Sequence, residues 1–444
     1  MNKLSEWLET NKIIEIECLI PDITGSARGK RVPATKIAEQ SLRLSEGTLL
    51  QDVLGGYCDQ YSELVHPNDQ DMCLVADPST IVMVPWASKP TAQIIHDCYT
   101  LDNKLHPLSS RNVLRRVLKR YRDVSIEPVV AAEVEFYLIE KNTDPSQVLQ
   151  SPIGRSGRPQ FERQCAGLTA LTEYQPIIDT MYHYCAAQGI EIDTLTHELG
   201  NAQLEVNFMH GDALHMADTV FNFKRCMREA ALKHDVYATF MAKPMQGQPG
   251  SSMHLHQSLV DLKTGKNLFS DDGGKKTDVF DYYLAGLQQF TRPLVSLYAP
   301  NINSYRRFAR NNCAPINLHW GMDNRTVAFR VPDAKPTATR IENRFAGVDV
   351  NPYLAIAASL ASGLVGIENK LSPSEAFEGN AGNQPSDLPR SLEEALRELK
   401  NKNKAVEILG GEFINAYRLV KLEEFEQYNS VISDWERKHL LLNV

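Results

Sequence analysis

Apolar positions along the chain change period near residue 104. Before it they come in short runs broken by turn residues: IIEIECLIPD, the turn-rich DITGSARGKRVP, MCLVADPSTIVMVPW and AQIIHDCYT. Runs of this length, bounded by Pro, Gly, Asp and Ser, predict strands and turns, hence a small β-rich N-terminal domain over 1–103. LDNKLHPLSSRNVLRRVLKRY then offers a proline, two serines as caps and apolar residues at helical spacing, which marks the boundary. Beyond it the alternation is coarser. VSIEPVVAAEVEFYLIE reads as a strand, 173–188 and 214–235 read as helices, and several strand pairs follow. Residues 104–444 are therefore expected to be a large α+β domain on a mostly antiparallel sheet. YLAIAASLASGLVGI, 353–367, is apolar all round and too short to span a bilayer, so it predicts a buried helix. A Pro/Gly/Ser/Asn-rich loop, 371–391, leads into a helical C-terminal section.

Composition narrows the function classes. With 43% hydrophobic and 23% charged residues the chain is an ordinary globular one, and a net charge of −8 argues against a duplex nucleic-acid partner, which needs a basic face. The basic block RRVLKRYR reads as a solvated helix face. Eight cysteines are scattered without CxxC pairs, as reduced thiols are, and the N-terminal MNKLSEWLETNKIIEIE has no signal-peptide core. Cytoplasmic residence without membrane attachment is the expectation.

The chemistry lies in polar residues that interrupt apolar strands. Glu133 and Glu135 in AAEVEFYLIE are two apart, so both face one side of a strand, where two carboxylates repel unless a cation compensates. GSSMHLHQSL places His254 and His256 at the same spacing. THELGNAQLEVNF supplies Glu198 and Glu205, ATRIENRF supplies Arg340, Glu342 and Arg344, and NSYRRF and NRTVAFR add Arg306, Arg307, Arg325 and Arg330. Each alone has a bland reading as a wet or ion-paired strand. Together they offer five glutamates, one or two histidines and several arginines to one cavity, which describes divalent cations with an anionic, phosphorylated substrate. A donor set of oxygen with little nitrogen and no sulfur favours Mg²⁺ or Mn²⁺ over Zn²⁺. No P-loop or kinase motif set occurs, so any ATP phosphates would be held by metal and arginine.

AEVEF, HELGNAQLEVN, ATFMAKP followed by GSSMHLHQSL, NSYRRF, NRTVAFRVP and ATRIENRFAGVDVNPYLA stand in the order found in the glutamine synthetase family, which the chain resembles along nearly its whole length. The resemblance implies a small β-grasp N-terminal domain, 1–103, and a large catalytic domain, 104–444. It also implies a ring-forming homo-oligomer, a dodecamer, with active sites between subunits, using ATP and two or more Mg²⁺ (or Mn²⁺). Carried over by residue, Glu135, Glu198 and Glu205 would hold the metal nearer the amino-acid substrate, and Glu133, His254 and Glu342 the metal bridging the ATP phosphates. His256, Ser258, Arg330 and Arg340 would meet the nucleotide. Arg325 would also steady the transferred phosphoryl group, Arg307 and Arg344 would hold the carboxylates of glutamate, and Gly250 would approach that substrate by its backbone.

Departures from the ammonia-using pattern bear on the nucleophile. Cys313 in RNNCAPIN stands where a Glu precedes Ala-Pro, Pro249 replaces an Asn, Thr337 stands where a Lys is usual with Lys335 two residues earlier, and LLQDVLGGYCDQY replaces the DGSS-like segment, with Asp52 as the nearest substitute. These features, with SYRRF and VPW, are most similar to the γ-glutamylpolyamine and γ-glutamyl-monoamine synthetase branch. Its members join the γ-carboxylate of glutamate to an organic amine through an acyl phosphate. Ordinary glutamine synthesis from ammonium is the alternative. A non-catalytic relative that binds glutamate or amines is disfavoured because all six metal ligands are present.

Overall fold

The computed structural model describes residues 3–36, 42–309, 313–399 and 403–444. Two sheets organise it. The N-terminal sheet runs Ala27–Pro33, Glu15–Pro21, Thr91–Tyr99, Asp71–Ala76, Leu42–Ser45, with Val82–Met83 also on Thr91–Tyr99. Glu15–Pro21 is parallel to Thr91–Tyr99, and the remaining pairs are antiparallel. The segment read as turn-rich, DITGSARGKRVP, is half turn and half strand. Asp22 Oδ1 accepts the Thr24 and Ser26 N–H groups at 2.9 Å each and Gly25 takes φ +86°, closing a hairpin from which Ala27–Pro33 returns. That strand is an edge with mostly exposed side chains, so it carries no apolar alternation for a sequence reading to find.

The second sheet has nine strands. Its path is Trp320–Met322, Phe329–Val331, Ile341–Asn343, Met253–Asp261, Ile126–Glu140, Gln203–Phe208, Ile192–His197, with Gly211–Asp212 and Val236–Thr239 also on Ile126–Glu140. Trp320–Met322 and Phe329–Val331 are parallel and the other pairs antiparallel, which makes the sheet mixed with antiparallel pairing dominant. Helices Ser110–Asp123 and Ala213–Leu232 pack on the long central strand and against Pro352–Asn369. This last helix is buried along fifteen consecutive residues, Pro352 to Gly366, as its apolar sequence predicts. Helices therefore cover one face of the sheet. Among the described residues no helix is long and apolar enough to cross a membrane.

Helix Ser110–Asp123 revises the reading of RRVLKRYR. Lys119, Arg120 and Arg122 are exposed, but Arg115 is half-buried and pairs with Asp77 and Asp97 of the N-terminal region at 3.0 and 2.8 Å. Arg111, 1% exposed, holds Asp218 through its Nε and Nη2 at 3.0 and 2.7 Å and also pairs with Asp77 and Asp97. A charged residue at the foot of an amphipathic helix thus joins the N-terminal sheet to the helical layer.

Candidate active site

Strand register builds the site. Glu133 stands opposite His254 on one neighbouring strand and Asn207 on the other, and Glu135 stands opposite Glu205. His256 faces Glu342, and Glu342 faces Arg330. Side chains alternate along a strand, so these rungs share one side, while Val134, Val206, Leu255 and Phe329 take the other and enter the core.

Glu133 is the hub. Its Oε2 lies 2.9 Å from His254 Nδ1 and its Oε1 2.8 Å from His256 Nε2. His254 Nδ1 is 3.7 Å from Glu342 Oε1, and its Nε2 is 4.0 Å from Glu135 Oε1. Two groups present ligand atoms within 4.8 Å of one another: Glu133, His256 and Glu342, and Glu133, Glu205 and His254. The grouping differs from the division implied by resemblance. His256 joins the first group because it is the cross-strand partner of Glu342, and Glu133 belongs to both because it occupies the central strand. Glu198 and Glu135 flank these groups. Glu198 accepts the Leu199 N–H at 3.2 Å, and Glu135 accepts the Ser252 N–H at 2.8 Å.

The carboxylates divide into two kinds. Burial pushes Glu135 up to about 8, reinforced by the charge of Glu198, and pushes Glu205 up to about 9, reinforced by Glu133, Glu135 and Glu198. Burial also raises Glu198. At Glu133 and Glu342 burial is outweighed. The two histidines hold Glu133 well below the usual carboxylate range, and Arg344 with the histidines brings Glu342 to about 2. A face that cannot ionise all its acids by itself, with oxygen donors and one or two imidazoles converging, fits hard divalent cations such as Mg²⁺ or Mn²⁺.

Arginines surround this face. Arg344 pairs with Glu342, and Arg330 reaches the same carboxylate at 2.8 Å while its Nε holds Asp323 at 3.1 Å. Arg340 Nε lies 3.1 Å from His256 Nδ1. Arg340, His256 and Ser258 line a cleft of about 810 Å³ together with Glu133, Asn207 and Thr337. A larger cavity of about 1140 Å³, between the Thr24–Ala27 turn and helix Ala213–Leu232, contains none of these acids. Arg325 is exposed and, among the described residues, forms no bond to them, although its charge opposes the upward shift that burial gives Glu198.

Arg307 lies inside the protein. It has 0% exposure and donates to the Phe345 carbonyl at 3.1 Å and to Ser252 Oγ at 2.7 Å, while the Nε atoms of Arg307 and Arg344 have no partner. A Cβ at Gly250 would lie 2.7 Å from Arg307 Cγ, so only glycine fits against it. Cys313 is exposed as a residue, with φ +62°, but partial desolvation of its thiol, followed by the charge of Glu135, pushes its pKa up. Asp52 is buried and accepts the Leu54 and Gly56 N–H groups at 2.8 and 2.7 Å, closing its own loop. Sequence reasoning missed Asn207, two residues beyond Glu205 on the same face, and Asp323. The first was visible in the alternation of QLEVNF; the second required the fold.

Residues 107–440 match the family described as glutamine synthetase, catalytic domain. The glutamate–isopropylamine ligase of a Pseudomonas species is 35% identical over 98% of this chain and 96% of its own. The gamma-glutamylputrescine synthetase of Escherichia coli K12 is 32% identical, covering 96% and 92%, and the glutamine synthetase of Pyrococcus horikoshii is 32% identical, covering 93% and 90%. A solved structure described as "Apo GmaS without ligand" superposes with a TM-score of 0.85 at 27% identity over 100% of both chains. The chain belongs to the glutamine synthetase family.

Proposed function

We propose that this chain is an ATP-dependent glutamate–amine ligase that joins the γ-carboxylate of glutamate to an organic amine, a polyamine or a monoamine, in amine catabolism. The observation that carries the reading is the acid face centred on Glu133, flanked by Arg330, Arg340 and Arg344 and opening into the nucleotide-sized cleft. A carboxylate does not accept an amine at neutral pH because its leaving group would be oxide. Phosphorylation by ATP gives γ-glutamyl phosphate, and amine attack then expels phosphate. Bound divalent ions, two or more Mg²⁺ or Mn²⁺, supply charge neutralisation to the phosphoryl oxygens. Glu133, Glu135, Glu198, Glu205, His254 and Glu342 would hold them. Arg330, Arg340, His256 and Ser258 orient the nucleotide, Arg325 steadies the phosphoryl group in transfer, and Arg307, Arg344 and Gly250 seat glutamate.

Cys313 supports an organic amine over ammonium. A thiol is neutral at pH 7, where a glutamate carboxylate in its place would favour a small cation. Relatives named for isopropylamine and putrescine agree with that choice, while the glutamine synthetases at similar identity keep ammonium as the alternative. The same reading takes residues 1–103 as a β-grasp domain, 104–444 as the catalytic domain, a dodecameric ring with active sites between subunits, and a cytoplasmic location. Support for the division comes from the family match beginning at residue 107. With ATP, Mg²⁺, glutamate and hydroxylamine the protein should form γ-glutamyl hydroxamate, and none without ATP. Absence of hydroxamate under all conditions would reject the acyl-phosphate route.

A further inference from the structure

The acid face does not end at Glu135 and Glu205. The next rung on the same side of the sheet is Tyr137 opposite Gln203, which replaces two carboxylates with neutral hydrogen-bond donors. Both donors reach the loop before Ser251. Tyr137 Oη donates to the Pro249 carbonyl at 2.9 Å, and Gln203 Nε2 donates to the Gly250 carbonyl at 3.0 Å. The two preceding carbonyls are also taken by side chains, Gly247 by Arg163 at 3.3 Å and Gln248 by Lys243. Four consecutive carbonyls are thus strapped by donors from four segments. Among the described residues the Gly250 N–H has no acceptor, so the strapped loop presents it as a free donor.

We propose that Tyr137 and Gln203 are positioning residues of the glutamate subsite. They hold the Pro249 and Gly250 carbonyls and thereby aim the Gly250 N–H at a substrate carboxylate. This rests on the reading of Gly250 as a glutamate contact. Gln203 also couples that subsite to the acid face, since its amide nitrogen lies 3.4 Å from Glu135 Oε2 and its carbonyl fixes the Gly200 N–H at 2.9 Å. Tyr137 is 0% exposed and its hydroxyl is wedged, because a Cβ at Gly200 would come within 2.0 Å of it. Pro249 has no N–H of its own to donate, so its backbone is held at that residue through the carbonyl that Tyr137 takes.

Glutamate and ADP affinities of the full-length protein with Mg²⁺, measured by calorimetry, test this in wild type, Tyr137→Phe and Gly200→Ala. Tyr137→Phe keeps the ring and loses the donor, and Gly200→Ala crowds both the hydroxyl and the ring edge of Tyr137, displacing the donor while keeping it. Each should weaken glutamate about fivefold, the worth of one neutral hydrogen bond. ADP affinity should stay unchanged, and in turnover the KM for glutamate should rise with kcat retained. Unchanged glutamate affinity in both variants would overturn the proposal, as would a parallel loss of ADP binding, the mark of a merely structural role. A wild type that binds glutamate but ligates no amine would reject the ligase function and leave the positioning role judged by affinity alone. A wild type that binds no glutamate would overturn the positioning role as well.

Discussion

Two buried charge clusters in this molecule solve the same problem in opposite ways. Around Arg111, two arginines meet Asp77, Asp97 and Asp218, and the Tyr353 hydroxyl donates to Asp218 at 2.6 Å. Every charge there has an opposite partner, and although burial works against the Arg111 cation, Asp218 and Asp97 keep it charged. Around Glu133, among the described residues, five glutamates meet only Arg330 and Arg344 in direct ion pairs, with histidines between them, and two of the acids are pushed up to about 8 and 9. The first cluster is complete and joins two parts of the fold. The second is unbalanced: its acids outnumber the arginines that pair with them. Burial alone therefore does not mark a functional site; the unbalanced remainder does.

The sharpest way to separate the clusters is to remove one charge from each. Glu133→Gln keeps the shape of the hub and should lower ligase turnover by about 10²–10³-fold with the fold intact, as checked by phosphate release and circular dichroism. Arg111→Leu should do the reverse. Leaving Asp218 without a cation, and Asp97 with Arg115 alone, should cost about 3–5 kcal/mol in denaturant unfolding, with turnover per folded molecule retained.

A smaller effect tests cation binding by these acids directly. Glu135 and Glu205 have folded pKa values raised from 4.5 to about 8 and about 9. Between about 4.5 and those values the metal-free folded protein holds protons that the unfolded chain has released, so its stability falls as pH rises through that window. A divalent ion stabilises the ionised form and opposes the fall. The difference in Tm between Mg²⁺-loaded and chelated protein should widen by roughly 2–5 °C from pH 6 to pH 8. A gap independent of pH would mean that these acids do not bind the metal.

The parts of this contrast differ in how far the sequence discloses them. The acid face was legible because an acid at every second position of an apolar strand violates the pattern that burial imposes, as in Glu133 and Glu135 of AAEVEFYLIE. The partners were named by resemblance, but which histidine meets which acid follows from register. His256 pairs across with Glu342 and His254 with Glu133, which no spacing within GSSMHLHQSL reveals. The Arg111 cluster was hidden for a different reason. Its members are separated by more than a hundred positions, from Asp77 to Asp218, and a basic residue on an amphipathic helix reads as solvated until the neighbouring sheet is placed. Strand Ala27–Pro33 was missed because an exposed edge need not alternate.

The most direct test of the ligase account is phosphate release by the purified protein with ATP, Mg²⁺ and glutamate, offered ammonium, ethylamine, phenylethylamine, putrescine and spermidine in parallel. Turnover is expected with one or more organic amines and little with ammonium, with the matching γ-glutamyl amide as product. Turnover with ammonium alone would contradict it and assign the neutral Cys313 loop no part in choosing the nucleophile.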